Sequence, residues 1–122
     1  MGKDFTKYNF NGKIYSKGRL VLAVVGKYVA LHSKTTFKEL KTIFPDELQS
    51  KTSIQFSKIQ LVFEKVDVIR MSEQKRFFMH DNELVYLADS VIAISKEWNK
   101  ENIKNFNSKA KRMGFEILEI SA

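Results

Sequence analysis

Asp46, directly after Pro45, and Glu73, two residues before Lys75, supply the residue types of a Mg²⁺-dependent nuclease: two carboxylates to share a metal and a lysine beside an attacking water. Their surroundings argue against it. Carboxylates that share a metal sit on rigid elements, whereas Asp46 follows a predicted helix end and Glu73 falls in the polar stretch 72–75. A helix stop and a solvated turn explain them better, so no catalytic residue is assigned. His32 and His80 have no second ligand at metal spacing, and a chain without Cys can build neither a thiolate zinc site nor a Cys–His nucleophile. Gly12, Gly18 and Gly26 are too far apart for a phosphate loop. The expectation is a protein that is not an enzyme and needs no metal or cofactor.

What remains is charge. Twenty-one Lys and Arg stand against fourteen Asp and Glu, a formal net charge of +7. That surplus suits a polyanionic partner, although an AT-rich genome would enrich Lys, Asn, Ile and Phe without any selection for binding. The cations that geometry could gather are Lys34, between Ser33 and Thr35 at a corner joining two predicted helices, and Lys38 and Lys41, outward with Thr42 on the second helix. Lys75 and Arg76 precede a predicted strand and would lie near a wing. Lysines and short hydroxyls at a helix start suit phosphate oxygens, and the helix start itself offers backbone amides. The competing surface is the last helix, where Lys100, Lys104 and Lys111 share a face with Lys109 and Arg112 nearby. Phe77, Phe78, Tyr86 and Trp98 are of the type that stacks on bases, but large aromatics prefer burial, and the adjacent Phe77 and Phe78 must face opposite sides of a strand.

The elements that must position these residues are legible in part. Tyr8 to Tyr15 alternates around Asn11-Gly12, the dipeptide favoured by a type I′ hairpin turn. From Arg19 to Leu31 apolar residues recur at three- and four-residue intervals, predicting a largely buried helix with Gly26 in close packing. Thr36-Phe37-Lys38-Glu39 has the form of a capping box opening a short helix with Phe37, Leu40, Ile43 and Phe44 inward; Pro45 ends it and can begin a further turn. Residues 54–71 carry both helical and strand periodicity, with the body leaning to strand. Strands are predicted at 76–79, 84–87 and 91–95 as an antiparallel meander. Asn99 then caps a helix with Ile103, Phe106, Ala110 and Met113 inward, Gly114 stops it, and Phe115 and Ile117 return as an edge strand.

The predicted fold class is therefore α+β, a single domain over 1–122 with an N-terminal hairpin, a helix-turn-helix-like pair, a meander, and a C-terminal helix and edge strand, winged-helix-like in plan. The first eight residues lack the apolar core of a signal peptide, and the longest apolar run, Leu20 to Val25, is far short of a membrane span. A cytoplasmic protein without membrane contact is expected; the oligomeric state is open.

Tyr8-Asn9-Phe10-Asn11-Gly12, Lys17-Gly18-Arg19-Leu20, Phe44-Pro45-Asp46 and Leu48-Gln49, followed by Lys75-Arg76-Phe77-Phe78, Trp98, Asn102-Ile103 and Gly114-Phe115-Glu116-Ile117, resemble a small bacterial domain associated with restriction and phage-defence loci. Ser50, Ser90 and Asn99 depart from it where turn glycines are expected. The resemblance implies a non-catalytic module near DNA transactions and supplies no catalytic residues. Two functions stay open: a basic domain that binds nucleic acid, chiefly duplex DNA through phosphate, and a protein-interaction module that docks on an acidic or nucleic-acid-binding partner.

Overall fold

Asn11 and Gly12 both take positive φ, 55° and 79°, and the hairpin they close pairs β1 (Lys7–Phe10) with β2 (Lys13–Tyr15). The computed structural model describes residues 6–49, 61–71 and 74–120. On the other side of β1 lies β6 (Ile117–Ile120), giving an antiparallel sheet of order β2-β1-β6. Alternation sorts its faces: Tyr8, Phe10 and Ile117 are buried, while Asn9 pairs with both Ile14 and Leu118 in one outward row.

The apolar stripe of α1 (Lys17–Leu31) buries Leu20, Val21, Val24, Val25 and Val29. Gly26 corrects an expectation: a Cβ there would meet nothing within 4 Å, so close packing does not explain it. The close approach is at Gly18, where a Cβ would lie 3.1 Å from the Phe78 ring. In α2 (Phe37–Ile43) the capping box is complete, Glu39 N–H donating to Thr36 Oγ1 and Thr36 N–H to Glu39 Oε1. Pro45 leads into a 3₁₀ turn at Asp46–Leu48.

Among its described residues the ambiguous stretch is strand only at residues 63–65; Val66, Val68 and Ile69, whose β-branched side chains argued for strand, are helical. β3 (Phe63–Lys65) runs directly into a single helical turn, α3 (Val66–Ile69); residues 54–60 lie outside the described ones. The meander is corrected. β4 (Val85–Tyr86) and β5 (Val91–Ile94) form the expected hairpin, but the second sheet has order β3-β5-β4, and the segment 76–79 contributes one bridge, Phe77 to Ser95. The 3₁₀ turns at Gln74–Arg76 and Asp81–Glu83 leave too little extended chain between them for a strand. Phe77 and Phe78 do diverge, into a small cluster with Val66, Ile69 and Ala93 and into the main core respectively.

Asn99 opens α4 (Asn102–Arg112) as predicted: its Oδ1 accepts the Glu101 and Asn102 amides at 2.8 and 2.9 Å, and Asn102 Oδ1 returns a bond from Asn99 N–H. Ile103, Phe106 and Ala110 are buried, and Gly114 ends the helix at φ 100°. Trp98 lids the core, its indole N–H donating to the Ser95 carbonyl and its ring edge-on to Phe106. Among the described residues no helix is long and apolar enough to cross a membrane.

One ion pair anchors the start of α1. Arg19 reaches the buried Glu83 carboxylate at 2.6 Å while its guanidinium lies 4.5 Å over the Phe78 ring. Burial pushes the Glu83 carboxyl up, but the His80 N–H bond at 3.0 Å and the Arg19 guanidinium outweigh it and hold it below its ordinary value. A depressed carboxyl contributes stability above its unfolded value and loses it as pH falls through the folded one. Glu83→Gln is therefore expected to destabilise by about 1–3 kcal/mol at neutral pH, the difference from the parent shrinking through and below the glutamate range in urea melts. Gly26→Ala, in an open helix interior, is expected to stabilise by about 1 kcal/mol, read as a rise of roughly 3–5 °C in Tm.

Candidate nucleic-acid interface

Helix α1 unwinds at His32, whose N–H still donates to the Tyr28 and Val29 carbonyls, and whose own carbonyl accepts from Thr35 N–H and, at 2.6 Å, from Thr35 Oγ1. The chain then turns into α2, leaving an open cleft of about 720 Å³ between the last turn of α1 and the side of α2. Tyr28, His32, Ser33, Lys34, Thr35, Glu39, Thr42 and Ile43 line it. Four residues apart on one helix face, Tyr28 and the exposed His32 stack with ring centroids 4.3 Å apart and planes at 29°. Behind them Tyr28 meets Phe44 edge-on at 5.8 Å, and Phe44 stacks on Phe106 at 5.5 Å.

The residues expected to bind phosphate divide. Ser33, Lys34, Lys38 and Thr42 are exposed, and neither Lys34 nor Lys38 has an ion-pair partner among the described residues. Thr42 Oγ1 donates back to the Lys38 carbonyl at 3.2 Å. Thr35 is buried, its hydroxyl committed to His32. Lys41 does not point outward. Its ammonium donates to Asp46 Oδ1 at 2.6 Å and to the Phe63 carbonyl at 2.8 Å, and lies 4.3 Å from the Phe63 ring centroid. Those two acceptors draw it across the end of α2, because a partly buried ammonium is stable only where its donors are matched. Lys75 is exposed, but Arg76 beside it pairs with Glu97 at 2.7 Å, and neither lines the cleft.

Nor is the start of α2 open to an anion. The Glu39 amide is capped by Thr36, and the Phe37 amide donates to Asp89 Oδ1 at 3.0 Å, brought there by the β4–β5 turn, whose Ala88 N–H bonds the Thr35 carbonyl at 2.9 Å. The competing helix is different. Lys104, Lys111 and Arg112 of α4 are exposed and Lys109 half-buried; residues 102–112 contain no Asp or Glu, and none of these cations is in an ion pair among the described residues. Lys109, Lys111 and Arg112 also sit in the last turn, where they complement the helix dipole.

Asp46 is engaged by Lys41 and by Val62 N–H at 3.3 Å, while Glu73 lies outside the described residues; among those described, no three His, Asp or Glu gather as a metal site would require. The Tyr28–His32 pair was not among the sequence expectations, which considered His32 only as a metal ligand; the spacing of four was the available signal. Compared with protein-family models, curated proteins and solved structures, the chain matches none.

If Asp89 holds the start of α2, Asp89→Ala should cost about 1 kcal/mol of stability and speed amide hydrogen exchange at Phe37; unchanged exchange there would contradict the contact.

Proposed function

We propose that this chain is a non-catalytic domain that binds nucleic acid chiefly through phosphate. The observation that carries the reading is α4, where Lys104, Lys109, Lys111 and Arg112 stand with no carboxylate in the helix and no ion-pair partner among the described residues. A polyanion is the ligand such a face attracts, since each cation can release a counterion from the phosphate backbone. Lys34 and Lys38 add exposed cations at the α1–α2 corner.

In a winged-helix plan α2 would approach the major groove and the β4–β5 hairpin would be the wing, although β3 and α3 stand between the helix pair and that hairpin. With Lys41 turned inward and the Phe37 and Glu39 amides engaged, contact there would rest on the Lys34 and Lys38 side chains. A place in restriction or phage defence, implied by the sequence resemblance, fits the same reading: a module that holds DNA while another protein does chemistry.

One observation favours a protein partner instead. On the outward face of the first sheet, Ile14 and Leu118 flank Asn9 with 62 % and 67 % of their surface exposed, and Ile120 follows Leu118 along β6. Clustered exposed apolar side chains mark contact surfaces.

Fluorescence anisotropy with short labelled oligonucleotides across a salt series separates the two. Binding should weaken by about 0.9 log units per log unit of salt for each phosphate neutralised on duplex, and the double substitution Lys104→Ala/Lys111→Ala should lower that slope by about 2. No binding at low salt, with a protein partner retained after nuclease treatment, would favour the sheet face.

A further inference from the structure

Resting on the nucleic-acid reading, we infer that the α1–α2 cleft takes one unstacked base of a single strand, stacked on the Tyr28–His32 pair, with the adjoining phosphate beside Lys34. A cation alone asks only for an anion; this cleft also presents a π surface. The imidazole is exposed, and its ring is backed by Tyr28 at 4.3 Å. Tyr28 is in turn fixed edge-on against the buried Phe44, so the platform is oriented from the core. The backbone of His32 is held at its amide by Tyr28 and Val29 and at its carbonyl by Thr35, so ordering the imidazole on binding costs little beyond its own rotamer.

The chemistry around the platform suits a nucleotide. A volume of about 720 Å³ accommodates a base and its sugar. Ser33 and Lys34, adjacent in the chain and both exposed in the lining, offer a hydroxyl and a cation to phosphate, and Thr42, whose hydroxyl proton goes to the Lys38 carbonyl, has lone pairs left to accept from a base edge. The Glu39 carboxylate keeps an oxygen that Thr36 does not use. It repels phosphate and can accept from an exocyclic amine, so Lys34 is the partner left for the phosphate. In a duplex the faces of the bases are covered by their neighbours, and a ring platform gains nothing from them; in a single strand they are available.

The chain has two histidines, so the His32 ring protons can be assigned in a proton NMR spectrum by their loss in His32→Ala. The parent protein is titrated with a short mixed-sequence single strand, with the duplex of the same sequence, and with free nucleoside monophosphates. The single strand should move the His32 ring protons upfield and leave those of His80 in place, while the duplex binds without moving them. His32→Ala should weaken the single strand roughly 5- to 100-fold with its salt slope unchanged, and Tyr28→Phe, which keeps the stack, should bind like the parent. Salt-dependent binding of the strand with His32 unmoved and His32→Ala unaffected would overturn the base site and leave the nucleic-acid reading standing. Equal shifts from the duplex would overturn the single-strand preference. Free monophosphate binding as tightly as the strand would overturn the strand as the source of the base. No binding of any of the three would remove the nucleic-acid reading and this inference with it.

Discussion

The ammonium of Lys41 joins the side of α2, the 3₁₀ turn at Asp46 and the strand β3: it donates to Asp46 Oδ1 and to the Phe63 carbonyl, and the same carboxylate accepts the Val62 amide. Charge-assisted hydrogen bonds of this kind are about twice as strong as neutral ones, and a half-shielded pair loses less to water than an exposed one. Around this knot sit Phe37 and Phe63, packed edge-on at 5.5 Å. Without the lysine, a carboxylate and a carbonyl would face each other at the seam between the helix pair and the second sheet.

That use of Lys41 changes which cations the helix pair leaves to solvent. A sequence with a net charge of +7 invites the assumption that its helix-borne lysines face solvent together. Instead, Lys41, Arg19 and Arg76 are engaged by Asp46, Glu83 and Glu97. The cations without an ion pair among the described residues are spread over the chain, Lys13, Lys27 and Lys65 included; α4 gathers several on one element that has no acid of its own, and Lys34 and Lys38 remain at the helix corner. Asp89, tied to the first amide of α2, completes the same shift by closing a site that an anion could otherwise use.

What could be read from the sequence was local. Asn11-Gly12 requires positive φ, Thr36 and Glu39 cap one another, Asn99 takes two amides, and Gly114 stops α4: each is decided within a few residues, and each stands as expected. The misreadings have distant causes. Lys41 turns inward for a carbonyl twenty-two positions away, and the predicted strand at 76–79 is reduced to one bridge by the turns on both sides of it. Gly26 looked like a packing contact because a helix interior disfavours glycine, yet its surroundings are open. The stacked pair was within reach of spacing alone, but only the stop of α1 at His32 and the turn into α2 make a cleft beside it.

The division of labour among the lysines is tested most directly by measuring unfolding free energy and the salt slope of oligonucleotide binding on two variants side by side. Lys41→Ala is expected to lose about 1–3 kcal/mol of stability with its salt slope intact, and Lys34→Ala/Lys38→Ala to keep stability and lose slope. A Lys41→Ala protein as stable as the parent but with a shallower slope would contradict the account.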